Sequence, residues 1–345
     1  MVTSTALNKE PIVSICIANY NGIAMIADCI DSVIVQQGEI PLEILVHDDA
    51  STDDSVAFIQ QHYPQVVLIK SPINVGFCIA NNRMAAAAKG DYLLLLNNDA
   101  ALFHDAISTL LTEAQRLSQP AILGLPQYDA ETAQLLDIGS LLDPFLNPVP
   151  NLDKSRNNIG MVMGACLWIP KSLWEDLGGF PEWFGSIGED LYLCCLARLW
   201  GYPVRALGAS GYRHHVGKSF GGGKVTADRR LSTTQRRRAL SERNKGFVMA
   251  LTYPSPLFQI IFSLHIVLLL LEGMALALVK WEWALFQDIY LACLKAIWQE
   301  RGRLLRLRQE IQAKRQIGLK LFLTVFQLVP YKLRMLLRHG LPRIQ

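Results

Sequence analysis

Tyr92-Leu-Leu-Leu-Leu-Asn-Asn-Asp99 is the stretch on which the fold turns. Its apolar run is short and stops abruptly at amide and carboxylate side chains, so it reads as a strand buried on both faces. The same grammar repeats upstream. Residues 12–18 (IVSICIA) run into Asn19-Tyr20-Asn21-Gly22, and residues 42–46 (LEILV) run into His47-Asp48-Asp49-Ala50-Ser51-Thr52-Asp53. Residues 66–69 supply another strand. Helical patterns to about Gln37, to His62 and over 76–89 separate these runs. Four strands alternating with three helices predict an α/β fold built on a doubly wound, mostly parallel sheet. Ligands of such sheets bind beyond the carboxyl ends of the strands, where each polar cluster sits.

Downstream the pattern loosens. Residues 121–160 carry Pro126, Pro144, Pro148 and Pro150 and predict loops or a small hairpin. A strand over 163–170, a helix over 189–200 and a strand over 204–207 follow, then a Gly- and Arg-rich segment (217–245) expected to be a mobile loop entering a helix. From Pro254 the character changes. Residues 257–279 have the length of a membrane span, yet His265 and Glu272 lie seven apart on one helical face. Trp281 and Trp283 follow as interfacial anchors would. Residues 298–338 mix Leu, Ile and Phe with Arg and Lys at the spacing of a surface-lying amphipathic helix. Two parts are expected, 1–253 as a catalytic domain and 254–345 as an apolar and basic helical extension, membrane-associated or membrane-spanning.

The charge pattern changes later than that division, near Lys295. The chain of 345 residues carries a formal net charge of +3 and is 51% hydrophobic and 18% charged, too apolar for a disordered protein. From Lys295 onward, twelve Lys and Arg stand against Glu300 and Glu310, a balance of +10 that leaves −7 for the preceding 294 residues. An acidic body with a basic end is not the profile of a nucleic-acid binder; it fits a domain whose end meets an anionic surface. Seven cysteines without a CxxC pair suit a reducing compartment. The first eleven residues hold one Lys and no apolar stretch, so a secretory leader is not expected and the cytoplasm is.

Several clusters carry chemistry. Asp48, at a strand's carboxyl end, suits a base edge or ribose hydroxyls, whereas Asp53 suits a helix cap. Asn97-Asn98-Asp99 is an incomplete D-x-D, whose carboxylate suits Mg²⁺ or Mn²⁺ bridging a diphosphate. Glu189-Asp190 opens a helix after the aromatic Trp183-Phe184, which offers a carboxylate base for an acceptor hydroxyl beside apolar walls. Either of His214 and His215 suits a metal or a phosphate. Arg229, Arg230, Arg236, Arg237 and Arg238 suit a leaving diphosphate, although a solvated helix face accounts for most of them.

Taken in order, these pieces resemble family 2 glycosyltransferases with the GT-A fold. The resemblance covers about residues 11–245 and rests on VSICIANYNG (13–22), VHDDASTDDS (46–55), NVGFCIANNRMAAAAKGDYLLLLNNDA (74–100), GGFPEWF (178–184) with Glu189-Asp190, and HHVGKS (214–219). Within the family the chain looks most like rhamnosyltransferase-like enzymes of bacterial surface polysaccharide assembly. The resemblance implies a nucleotide-sugar site lined by Ala18, Asn19, Tyr20, Asp48, Asn74, Gly76, Asn81 and Asn98, with Asp99 and His214 at a divalent metal. It implies Asp190 as catalytic base, with Trp183, Phe184 and Glu189 around the acceptor or sugar. Tyr192 and Leu196 depart from the family's usual E-D-x-D-L and following Arg. The implied activity is inverting transfer of a sugar from a nucleotide-diphosphate sugar to a saccharide or lipid-linked acceptor, at the cytoplasmic side of the cell membrane. A non-catalytic GT-A-like membrane scaffold and a sugar nucleotidyltransferase are the alternatives. The second of these wants a Gly-rich, Arg-containing loop after the first strand, where Asn-Tyr-Asn-Gly stands.

Overall fold

Side chains alternate between two cores along the central strands. In β1 (Val13–Asn19), Val13, Ile15 and Ile17 face one layer and Cys16 the other; in β4 (Tyr92–Asn97), Leu94 and Leu96 oppose Leu93 and Leu95. Successive side chains of a strand point to opposite faces, so an unbroken apolar run is what a sheet covered on both sides requires. The computed structural model describes residues 10–217, 222–225 and 231–344.

The first half follows the expected alternation: β1, α1 (Ile26–Ile34), β2 (Leu42–Asp48), α2 (Ser55–His62), β3 (Val67–Lys70), α3 (Phe77–Ala87) and β4. After it come β5 (Ala100–Leu102), α4 (Ala106–Arg116), β6 (Ile122–Gly124), β7 (Gln127–Asp129), β8 (Leu135–Asp137), β9 (Leu141–Leu142), β10 (Pro148–Val149), β11 (Cys166–Pro170), α5 (Lys171–Leu177), α6 (Glu189–Leu199), β12 (Val204–Ala206) and β13 (Tyr212–His214). The main sheet has seven strands in the order β12-β6-β11-β4-β1-β2-β3. All neighbours are parallel except β11, which runs antiparallel to β4 and to β6. This is the expected mostly parallel α/β sheet. Residues 121–160, read as loops or a small hairpin, supply five short strands, among them the antiparallel pairs β7–β8 and β9–β10. One joins the main sheet, and two lie in a second sheet ordered β5-β13-β7-β8. Such strands of two or three residues carry no periodic signal.

The C-terminal part holds β14 (Gly222–Val225), β15 (Leu231–Thr233), α7 (Gln235–Thr252), α8 (Ser263–Lys280), α9 (Trp283–Leu285), α10 (Ala292–Gln299), α11 (Arg301–Ala313), α12 (Leu319–Phe322), α13 (Tyr331–His339) and β16 (Arg343–Ile344). The single amphipathic helix expected over 298–338 is broken into pieces. The chain leaves helical geometry around Gly318 and before Pro330, the residue types that interrupt an i→i−4 ladder. Leu304, Ile311, Phe322 and Val325 from these pieces share one core with Phe247, Leu251 and Leu193. The segment expected to be a mobile basic loop is partly regular: β14 and β15 pair antiparallel, and β15 pairs with β16. Arg229, Arg230 and Ser219 lie outside the described residues.

Phe258–Lys280 forms one helical stretch of 23 residues with mean hydropathy 2.3, long and apolar enough to cross a membrane. Its two faces differ. His265 is buried, and Glu272 turns inward to Arg238 and to Lys332 Nζ at 2.8 Å. Ile260, Leu264, Val267, Leu271, Met274 and Leu278 are exposed at helical spacing on the outer side.

Candidate functional site

The parallel register sets the site. Asn19 lies opposite Asp48, and Ala18 opposite Asn97, so the polar ends of β1, β2 and β4 meet along one edge. Asn19 is the hub. Its Nδ2 donates to Asp48 Oδ1 at 3.0 Å and to Ser55 Oγ at 3.1 Å, while its Oδ1 accepts from Asn98 Nδ2 at 2.9 Å. Asp48 also accepts from the Ser51 amide at 3.0 Å and from Ser51 Oγ at 2.6 Å. Asp53 accepts from the Ser55 amide and hydroxyl and from the Ile23 amide, the helix-capping role expected of it. Tyr20 stands 52% exposed above this edge and Ala18 is half-buried.

Asp49, a residue the motifs left without a role, carries the next segment. Its two oxygens accept from the Val75 and Gly76 amides at 2.7 and 2.9 Å, so β2 fixes the Asn74–Gly76 turn at the start of α3. Gly76 has φ +88, and a Cβ there would meet Gly185 O at 3.3 Å. The left-handed backbone and the close approach both favour glycine. Asn74 is exposed on this turn, whereas Asn81 is buried and donates to Phe77 O, one turn back in α3. Asp49 was findable from the tandem Asp48-Asp49; its target, 26 residues away, was not.

Asp99 is buried past the end of β4, and the second sheet brings His214 to it by pairing His214 with Ala100. His214 Nε2 lies 3.1 Å from Asp99 Oδ1, and Nδ1 lies 3.0 Å from Gln127 Nε2, whose Oε1 accepts from Tyr212 Oη at 3.1 Å. With the Gln127 amide at Nδ1 and Asp99 at Nε2, a cation seated between Nε2 and Asp99 would take the place of a proton there. Asn97 Oδ1, two residues before Asp99, is buried without a hydrogen-bond partner. Carboxylate oxygen, imidazole nitrogen and an unsatisfied amide oxygen form a donor set that suits a divalent cation able to keep further oxygen ligands. Among the described residues no group of three or more His, Cys, Asp and Glu is placed to hold a metal, so the remaining coordination would fall to phosphate and water. His215 contributes its backbone amide to Asp99 O.

Across from this edge, α6 begins with Glu189 and Asp190. Asp190 is half-buried, and its oxygens accept from the Gly164 amide at 2.9 Å and the Leu191 amide at 2.8 Å. Burial nonetheless raises its pKa, against those hydrogen bonds and the Arg237 guanidinium, which pull it down. Glu189 is buried with Oε2 unpartnered, and burial, then the Asp190 charge, push its pKa up to about 8. Arg237 and Arg238, two of the five arginines read as suiting a leaving diphosphate with a solvated helix face for most, turn inward: Arg237 toward the two carboxylates and Arg238 to Tyr290 and Glu272. The 3-10 turn Glu182–Phe184 precedes them. Phe184 is 0% exposed, packed edge-on against Trp183 and Tyr192, so its ring faces protein on every side. Trp183 stays half-buried, with the Arg303 guanidinium 5.2 Å from its ring centroid.

The two edges touch. Cys78 N donates to Gly185 O at 3.2 Å, and Asn82 exchanges two hydrogen bonds with the Phe180 backbone, so α3 braces the loop before α6. These contacts link the polar sheet edge to a carboxylate pair with raised pKa values, and Asp99, His214 and Asn97 form a candidate cation site past the end of β4.

Comparison with known proteins gives this arrangement a context. Residues 14–177 match the family model described as Glycosyl transferase family 2. The chain is 35% identical over 118 residues to chondroitin synthase of Escherichia coli, covering 33% of this chain and 17% of that protein. It is 28% identical over 185 residues to N-acetylglucosaminyl-diphospho-decaprenol L-rhamnosyltransferase of Mycobacterium tuberculosis, covering 45% and 60%. It thus spans less than two thirds of these curated relatives. Among solved structures, a mannosyltransferase from Pyrobaculum calidifontis in complex with GDP-Man and Mn²⁺ aligns with TM-score 0.53 at 17% identity, covering 85% of this chain and 88% of that one. TarS of S. aureus aligns with TM-score 0.55 at 15% identity, covering 91% and 54%. The fold is that of these transferases, GT-A.

Proposed function

Because residues 14–177 match the model of glycosyl transferase family 2, we propose that this chain is an inverting glycosyltransferase that moves a sugar from a nucleotide-diphosphate sugar to an acceptor hydroxyl of a surface glycan or lipid-linked saccharide. The observation that carries the reading is the buried Asp99–His214 pair past the end of β4, together with Asp190 at the start of α6 with its pKa raised by burial. Residues 1–253 form the catalytic domain in this reading and 254–345 the extension.

Ala18, Asn19, Tyr20, Asp48, Asn98 and the Asn74–Gly76 turn line the nucleotide pocket, with Asn81 supporting it from inside α3. Asp99, His214 and Asn97 would hold Mg²⁺ or Mn²⁺. That ion supplies charge neutralisation for the departing nucleoside diphosphate. Asp190 accepts the acceptor's hydroxyl proton as its oxygen bonds to the anomeric carbon. The bond from that carbon to the phosphate oxygen breaks on the opposite side, and its electron pair leaves with the diphosphate. A raised pKa makes a carboxylate a stronger base toward a hydroxyl, so burial of Asp190 favours the task. Trp183 walls the acceptor side, with Phe184 packed behind it.

The acceptor is placed at a membrane surface. With Glu272 and His265 turned inward and an apolar stripe turned outward, α8 suits a helix lying in the headgroup plane, and the basic α11 and α13 suit anionic lipid. Substituting Leu271→Asp together with Leu278→Asp should abolish sedimentation with anionic vesicles while the fold survives, because both side chains face outward. Undiminished sedimentation refutes the surface. The activity is tested by following nucleoside diphosphate release from UDP-, GDP- and dTDP-sugars with Mn²⁺. No release from any of them, with or without saccharide acceptors, overturns the reading.

A further inference from the structure

The loop that delivers Asp190 is an unusual piece of backbone. Of its four residues, Gly185 (φ +74), Ile187 (φ +71) and Gly188 (φ +91) are left-handed. For Ile187, a β-branched residue, that conformation is disfavoured and persists only where its surroundings dictate it. Successive left-handed residues turn several carbonyls toward one point instead of into a ladder. The carbonyls of Phe184, Ser186 and Ile187 converge on the Asn244 side chain, whose Nδ2 lies 3.2, 3.0 and 2.6 Å from them. Asn244 sits in α7 and is 0% exposed. Its amide is itself oriented. Arg243 Nε donates to Asn244 Oδ1 at 2.9 Å, and Arg243 Nη2 donates to Phe184 O at 2.7 Å. The outer side of the same turn accepts from Cys78 N through Gly185 O.

We propose that Asn244 is a positioning residue for the reaction: by gathering three loop carbonyls on one amide, it sets the left-handed turn that aims Asp190 at the acceptor. The inference rests on the proposed role of Asp190. An amide is suited to the place because it offers two N–H donors and no charge. A carboxylate there would face three carbonyl oxygens, and an aliphatic side chain would take this donor from the Ser186 and Ile187 carbonyls and leave Phe184 O to Arg243. Arg243 fixes which end of the amide faces the loop.

The test uses the full chain with Asn244→Ala, Asn244→Asp and Arg243→Lys. Two readouts are taken: kcat for nucleoside diphosphate release from the active nucleotide sugar across pH, and Kd for the matching nucleoside diphosphate with Mn²⁺. Asn244→Ala should lower kcat about a hundredfold and move the acid limb of its pH profile, with Kd changed less than threefold. Arg243→Lys should lower kcat about tenfold with the same Kd. Wild-type kcat in Asn244→Ala overturns the inference, and so does a fall in kcat matched by an equal loss of affinity. If Asn244→Ala does not fold, Arg243→Lys decides alone: an unaltered kcat and pH profile overturns the inference. An inactive wild type, or full activity in Asp190→Asn, instead defeats the reading of Asp190 and is thereby distinguishable.

Discussion

Glu189 and Glu242 are both buried glutamates, on the neighbouring helices α6 and α7, yet their surroundings push them in opposite directions. Glu189 keeps one oxygen without a partner beside a second carboxylate, and burial raises its pKa. Burial acts on Glu242 as well, but Lys245 at 3.0 Å, Lys332 at 2.7 Å and the nearby Arg238 override it and hold the carboxyl well below its ordinary value. The Glu242 cluster ties α7, α8 and α13 together, and Lys245 Nζ extends it to Asn147 Oδ1. Buried charge that is paired locks elements in place; buried charge left unpaired is held at a cost that chemistry can use. One region holds its charges in pairs, and the other is the one we propose to exchange a proton.

Breaking the comparison at its active end should have the largest effect. Asp190→Asn keeps the shape and removes the base, so turnover should fall about 10³-fold while Mn²⁺-dependent nucleoside diphosphate binding persists. Retained turnover would remove Asp190 from the mechanism. At the structural end, Glu242→Gln leaves Lys245 without its anion and Lys332 with Glu272 alone, and should destabilise the fold by about 3–5 kcal/mol in urea unfolding. A loss well under 1 kcal/mol would show the cluster to be dispensable. Asp99→Ala should reduce the Mn²⁺ enhancement of nucleoside diphosphate binding about tenfold or more, and an undiminished enhancement would exclude Asp99 as a ligand.

The smallest effect is the most diagnostic of sign. Glu189 ionises near 4.5 when unfolded and about 8 when folded, so the folded state binds the extra proton between those values. Stability from that proton is complete below about 4.5 and is lost as pH rises through 8. Thermal midpoints of the wild type should therefore fall relative to Glu189→Gln between pH 5 and 9. For Glu242 the sign reverses: its contribution is present above 4.5 and is lost on acidification through its depressed folded pKa. Parallel curves for Glu189→Gln and the wild type would show that Glu189 is not held protonated.

What was legible in the sequence follows from range. The β1–β4 edge was readable because each strand ends in its own polar cluster, and a parallel register then aligns those ends without further information. Asp99 and Asp190 were legible by the same logic, as carboxylates where an element starts or stops. Gln127, Tyr212, Asn244 and Arg237 were not. Each works through a partner distant in sequence, and nothing local distinguishes Asn244 from any polar residue of a helix. Phe184 shows the converse: its place beside Trp183 suggested a shared wall, but the 3-10 turn Glu182–Phe184 sends the two rings different ways. The tail misled through composition, since a basic and apolar mixture at helical spacing does not reveal where Gly318 and Pro330 cut it.

The short pairing of β15 with β16 has a topological consequence. Ser232 and Thr233 lie beside Arg343 and Ile344 on neighbouring parallel strands, about 5 Å apart. The excursion through α7 to α13 therefore departs and returns at nearly one point, like a ring hung from a single hook. A cut on the solvent side of that ring, such as the exposed turn at Trp281, would leave both ends anchored. New termini there should be tolerated, whereas unpairing Arg343–Ile344 would open the ring.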